Sequence, residues 1–246
     1  MLHLLKRHPI PIVAFFQHVL VLTYAFPPEI LEPFVPKGLT LDTWNGCGFL
    51  AIALVQTENL RPGFLPAALG CSFFLSGYRI FTRLAEGKSL RGLQILRSDT
   101  DRCVMACAGN LLTHYNYHLC SASLEKQGCE IRWRVRTPDG EADLDVTAHI
   151  AGEPAALPAG SPFATIAEAR RFAGPLPYTF DYEAETRSII GIRAVRQEWN
   201  PQPVAVDVRR NSFLEREPFC RAEPVLANAF YVHDIPYRWQ WGRRLT

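Results

Sequence analysis

A chain of 246 residues that is 48% apolar and 20% charged can bury a sizeable core, which excludes the disordered, collagenous and disulfide-scaffold classes. Its 26 basic and 24 acidic residues are spread along the sequence, so no domain-wide positive field would attract a polyphosphate backbone and nucleic acid is not an expected partner. Seven cysteines, an odd number without the spacing of secreted modules, sit mostly among apolar neighbours and read as buried free thiols in a reducing, cytoplasmic setting.

Lys6-Arg7 ahead of Ile10 to Phe26 has the outline of a leader, but Pro11, Gln17, His18 and Thr23 interrupt it and no small-x-small cleavage site follows. The run is also shorter than the ~20 residues of a spanning helix, so a long β-strand from Ile12 to Phe26 is predicted and a membrane is not. Pro27-Pro28-Glu29 then starts a short helix to about Val35, ended by Pro36-Lys37-Gly38. Leu39 to Trp44 and Cys47 to Val55 flank Asn45-Gly46, a dipeptide that tolerates positive φ, and predict a hairpin. Strands follow at 72–84 and 91–97 with Ala85-Glu86-Gly87-Lys88 as their turn, then a helix over about 100–112 on the spacing of Val104, Cys107, Ala108, Leu111 and Leu112, its start served by Ser98-Asp99-Thr100-Asp101.

Between Glu130 and Ile150, Ile131, Trp133 and Val135 alternate with arginines, and Leu144, Val146 and Ala148 alternate with Asp143 and Asp145. With the turn at Pro138-Asp139-Gly140-Glu141, Thr137 opposes Ala142, Arg136 faces Asp143 and Arg134 faces Asp145, a structural pairing of charges on the solvent face. Ser161-Pro162 predicts a helix start running to about Phe172 and stopped by Gly174-Pro175; strands near 177–184, 187–198, 203–210 and 225–233 complete the chain. About ten or more strands and three short helices make a mainly-β (α+β) domain over 1–246, and closing the sheet into a barrel removes its costly open edges.

No Gly-x-Ser-x-Gly, phosphate-cradling loop or dinucleotide fingerprint is present. His114-x-x-x-His118 has zinc spacing only on a helix; on the extended segment predicted here the two histidines are ~13 Å apart, and no third ligand has recognisable spacing, so neither metal nor cofactor is expected. Cys103-x-x-x-Cys107 reads as buried small residues. Arg79 stands out because Phe73, Leu75, Gly77, Arg79 and Phe81 share one strand face, where a guanidinium needs an anion; that anion is either a ligand or a structural acid such as Glu58.

The order of parts, namely a long first strand, Pro28-Glu29-Ile30-Leu31 through Val35-Pro36-Lys37-Gly38-Leu39, Tyr78-Arg79, a helix and an aromatic strand, then Ser161-Pro162-Phe163 with Glu168-Ala169-Arg170 and Trp199-Asn200-Pro201, resembles the YqjF-like family known as domain of unknown function 2071. That family is related to the acetoacetate decarboxylases. The resemblance implies a cone-shaped antiparallel β-barrel with an apolar cavity, which in the decarboxylases holds a lysine that forms a Schiff base with a β-keto acid. Here the like-placed passage runs from Gly109 through Leu111, Leu112 and Tyr115 to Tyr117-His118 without a lysine. The decarboxylases' upstream arginine falls on Gln17, and their cavity glutamate has no counterpart between Cys71 and Ser76. The resemblance therefore implies the fold without imine chemistry.

Two readings follow. In the first, Arg79 recognises a small, anionic ligand in a pocket lined by Phe73, Tyr115 and Tyr117, with Gln17, His114 or His118 as polar neighbours, and binding and catalysis both stay open. In the second, the segment Tyr237-Arg238-Trp239-Gln240-Trp241-Gly242-Arg243-Arg244 forms an interface in a non-catalytic interaction protein, a homo-oligomer included; its plainer alternative is a final strand packed on the barrel. A membrane-surface role rests on the apolar first segment alone.

Overall fold

The computed structural model describes residues 2–86, 90–150, 152, 154–174, 176–196 and 199–246, and the molecule is mainly β with a few short helices. A one-turn helix, α1 (Leu2–Leu5), precedes strand β1 (Ile12–Phe26), which occupies the whole β-branched and aromatic run that predicted it. Helix α2 (Pro28–Leu31) carries proline in its first turn and continues as a 3-10 turn to Phe34. Then come β2 (Leu39–Leu41), β3 (Gly48–Pro62), β4 (Cys71–Leu84), β5 (Arg91–Thr100) and helix α3 (Cys103–Leu112). After β6 (Tyr117–Leu119) lie β7 (Ser121–Gln127), β8 (Glu130–Arg136), β9 (Leu144–His149) and helix α4 (Ile166–Ala173); β10 (Tyr178–Glu183), β11 (Ser188–Arg196), β12 (Gln202–Pro203), β13 (Ala205–Asn211), β14 (Val225–Trp239) and β15 (Arg243–Arg244) finish the chain.

In the large sheet, neighbours run β14, β1, β3, β4, β5, β10, β11. Strand β11 also pairs with β14 through Ala194 opposite Trp239, so the path leads back to where it started. All these pairings are antiparallel except β5 with β10. A separate sheet, which the sequence did not announce, orders β13, β9, β8 and β7. Its apolar face, with Ile131, Trp133, Val135, Leu144, Val146 and Ala148 all fully buried, packs on Leu20, Leu22, Leu54 and Tyr78 of the large sheet. That alternation was legible, and so was the register, with Arg134 opposite Asp145. The expected Arg136–Asp143 ion pair forms at 3.7 Å, whereas Asp145 is held by Arg132 at 2.7 Å and Arg134 turns to Glu125 on β7.

Several expectations are corrected. Asn45 and Gly46 do make a tight turn with positive φ (49° and 76°) between Trp44 and Cys47, yet β2 does not pair with β3. Both edges of β3 are taken by β1 and β4, and β2 instead pairs with the end of β4, where the buried Asp42 carboxylate binds Arg83 and Arg91. Helix α4 begins at Ile166 rather than at Ser161: the Ser161 hydroxyl is drawn off to the Ala227 carbonyl, while Thr165 accepts from the Glu168 amide at 3.1 Å and Glu168 accepts from Ala164. The acids ahead of α3 do not cap it, because Asp101 accepts from the Phe74 amide and Asp99 pairs with Arg97. The inward face of α3 is Ala106 and Gly109, leaving Val104 73% and Leu111 48% exposed. Cys103 and Cys107 therefore lie outside, as do Cys71, Cys129 and Cys220, so the cysteines are free but mostly not buried. Part of the expected 85–88 turn, the Pro175 helix stop and the end of the expected strand 187–198 fall outside the described residues.

Candidate functional site

A hollow of about 90 Å3 lies on the inner side of the large sheet, and small residues create it. Along β3 the inward positions Ala51 and Ala53 sit opposite Arg79 and Gly77 of β4, so two adjacent cross-strand pairs leave a gap where larger side chains would fill it. Gly77 also seats the guanidinium: a Cβ there would lie 2.9 Å from Nε and Nη2 of Arg79. Among the described residues Arg79 meets no carboxylate, and its buried Nε has no hydrogen-bond partner. Glu58, the expected structural partner, lies on β3 opposite Phe15 of β1 and is half-buried, with no ion pair to Arg79.

Tyr115 and Tyr117 form a second wall, set by the link between α3 and β6. The Asn110 side chain both donates to the Tyr117 carbonyl and accepts from its amide at 2.8 Å. The Thr113 hydroxyl accepts from the Tyr115 amide, and the Tyr117 ring lies flush on Gly109, where a Cβ would come within 2.4 Å. Burial raises both phenols well above their ordinary range, so they stay protonated. Behind them Asp181 on β10 is 3% exposed and, among the described residues, accepts only a long bond from the His114 amide; burial pushes its carboxyl up to about 8. At neutral pH it is mainly uncharged.

The model of DUF2071, described as an uncharacterized conserved protein, matches residues 14–234. The chain belongs to that family. Comparison with curated proteins gives no match. Among solved structures, an acetoacetate decarboxylase from Legionella pneumophila aligns with a TM-score of 0.67 at 9% identity over 97% of this chain and 88% of its own. The enduracididine biosynthesis enzyme MppR complexed with pyruvate aligns at 0.66 and 12% identity over 97% and 91%. An acetoacetate decarboxylase-like enzyme from Sphingomonas wittichii RW1 aligns at 0.62 and 14% over 98% and 94%. The DUF2071 chain thus has the acetoacetate decarboxylase-like fold.

Within this DUF2071 fold the residues singled out from sequence separate. Arg79, Tyr115 and Tyr117 line the hollow together; Phe73 lines an adjoining one. Gln17 lines neither, because a bulge in β1 between Phe16 and His18 turns Phe16 and Val19 inward. His114 is half-buried behind Tyr115, its Nε2 without a partner among the described residues, and His118 bonds Asn116 near the surface; neither imidazole lines either hollow. Lys6, Lys37 and Lys126 line neither hollow, and Lys88 is outside the described residues. Among the described residues no group of three His, Cys, Asp or Glu is placed to hold a metal.

Tyr237 and Trp239, expected as part of an interface, belong to β14 and line the hollow, with Tyr237 stacked on Phe16 at 4.4 Å. Arg196, stacked over Trp199 at 4.9 Å, completes that wall. Asp181, Thr179, Arg196 and Trp199 were not found from sequence. The one usable signal was Thr179 and Asp181 at alternate positions in an aromatic strand, polar residues that must share a face.

Proposed function

We propose that this protein binds a small carboxylate at Arg79, in the interior of a sheet that closes as a barrel within a single domain over 1–246, and that any chemistry there proceeds without a Schiff-base lysine. The observation that carries the reading is the half-buried guanidinium of Arg79, its Nε shielded from water, facing a mostly apolar hollow with no carboxylate beside it among the described residues, where an anion would form charge-assisted hydrogen bonds. Closure is supported by β14 pairing with both β1 and β11. A small anion is supported by the size of the hollow and by MppR, a protein of like fold whose structure is described as complexed with pyruvate. Titration calorimetry with pyruvate tests it. Arg79→Met, which keeps bulk and removes charge, is expected to weaken binding by at least about tenfold, the worth of a charge-assisted hydrogen bond. Equal affinity of both proteins would remove the proposal.

A further inference from the structure

A ligand the size of pyruvate leaves the neighbouring space unexplained. A second hollow of about 110 Å3 lies between α3 and the sheet, and it shares Leu75, Tyr115, Tyr117 and Trp239 with the first, so one layer of side chains divides them. Ile12, Leu60, Phe73, Met105 and Leu112 supply apolar walls. Besides Tyr115, Tyr117 and Trp239, two polar side chains line it. The Thr113 hydroxyl is already engaged, donating to the Gly109 carbonyl and accepting from the Tyr115 amide. The other is His8, 8% exposed and in ring contact with Tyr115, its Nε2 without a hydrogen-bond partner among the described residues. Burial holds that imidazole down to about 4, so it is neutral under ordinary conditions. The pair of hollows therefore presents a cation on one side of the tyrosines and an uncharged, apolar space on the other.

From this division we infer that the ligand class is an acid with an apolar tail, its carboxylate at Arg79 and its hydrocarbon chain passing the Tyr115 and Tyr117 rings into the space beneath α3. The inference rests on the carboxylate reading above and adds the tail. Burying each methylene in such a space tightens binding about fourfold.

The test is calorimetry with butyrate, pentanoate, hexanoate and heptanoate on the full chain, on Arg79→Met, and on two variants that fill the second hollow, Ala108→Phe and Met105→Trp, each checked for cooperative unfolding. The expected result is affinity that climbs about fourfold per carbon in the native protein, flattens in whichever filled variants fold, and drops throughout the series in Arg79→Met. A flat series that still weakens in Arg79→Met would overturn the tail and spare the carboxylate site. A climbing series that the filled variants leave unchanged would place the tail elsewhere and likewise overturn the inference. Indifference of every acid to Arg79→Met, or no binding by any acid, would overturn both readings.

Discussion

Replacing Asp181 by asparagine should change how stability depends on pH, and the sign follows from burial. The native carboxyl is 3% exposed and titrates near 8, whereas an unfolded aspartate titrates near 3.8. Between those values the unfolded chain has released a proton that the folded chain still holds, so stability is fully present below the lower value and falls as pH rises through the upper one. The slope is about 1.4 kcal/mol per pH unit for one group. Asparagine has the shape of the protonated acid and can accept the same bond from the His114 amide, and it does not titrate. His8 acts with the opposite sign between about 4 and 6.5, because it is neutral when folded and protonated when unfolded, but it is common to both proteins and cancels in the difference. Urea unfolding of both proteins at about pH 5 and about pH 7.5 should therefore show Asp181→Asn gaining about 3 kcal/mol on the native chain across that span. A difference independent of pH would show that the folded Asp181 carboxyl titrates as it does in the unfolded chain, which burial of this kind should not allow.

Other substitutions probe the supports. Arg97→Ala leaves the fully buried Asp99 without its charge partner and should cost about 3–5 kcal/mol by chemical unfolding, with Arg97→Ala/Asp99→Asn recovering much of it. Trp133→Ala empties the centre of the core between the two sheets, and a loss of about 3–5 kcal/mol is expected in the same assay. Gly77→Ala puts a methyl group against the Arg79 guanidinium and should weaken pyruvate binding in calorimetry; unchanged affinity would mean that the guanidinium is not held over that glycine.

What the sequence disclosed depended on how local the cause was. Strand β1 was readable from its run of β-branched and aromatic residues, and the β8–β9 hairpin because burial on one face imposes alternation along consecutive residues. Arg79 was readable for the same reason, as a charge on an apolar face. The partner of β2 was not, because a turn fixes only its own few residues while pairing depends on which edges remain free and on Asp42 reaching two arginines far along the chain. Ser161 carried a good start signal for a helix and spent its hydroxyl on a carbonyl of β14. Gln17 was misplaced relative to the hollow by a single bulge, which reverses every facing beyond it and leaves no mark in the residue pattern. The remaining walls of the site, Thr179, Arg196 and Trp199, come from strands and loops separated from Arg79 by a hundred residues or so, and only the closed path of pairings brings them together.

The most direct measurement is a crystal structure of the protein grown with pyruvate. The carboxylate is predicted within hydrogen-bonding distance, about 3 Å, of the Arg79 guanidinium, in the space bounded by Ala51, Gly77, Tyr115 and Tyr117. Pyruvate bound only on the outer surface, or an Arg79 side chain swung out into solvent, would contradict it.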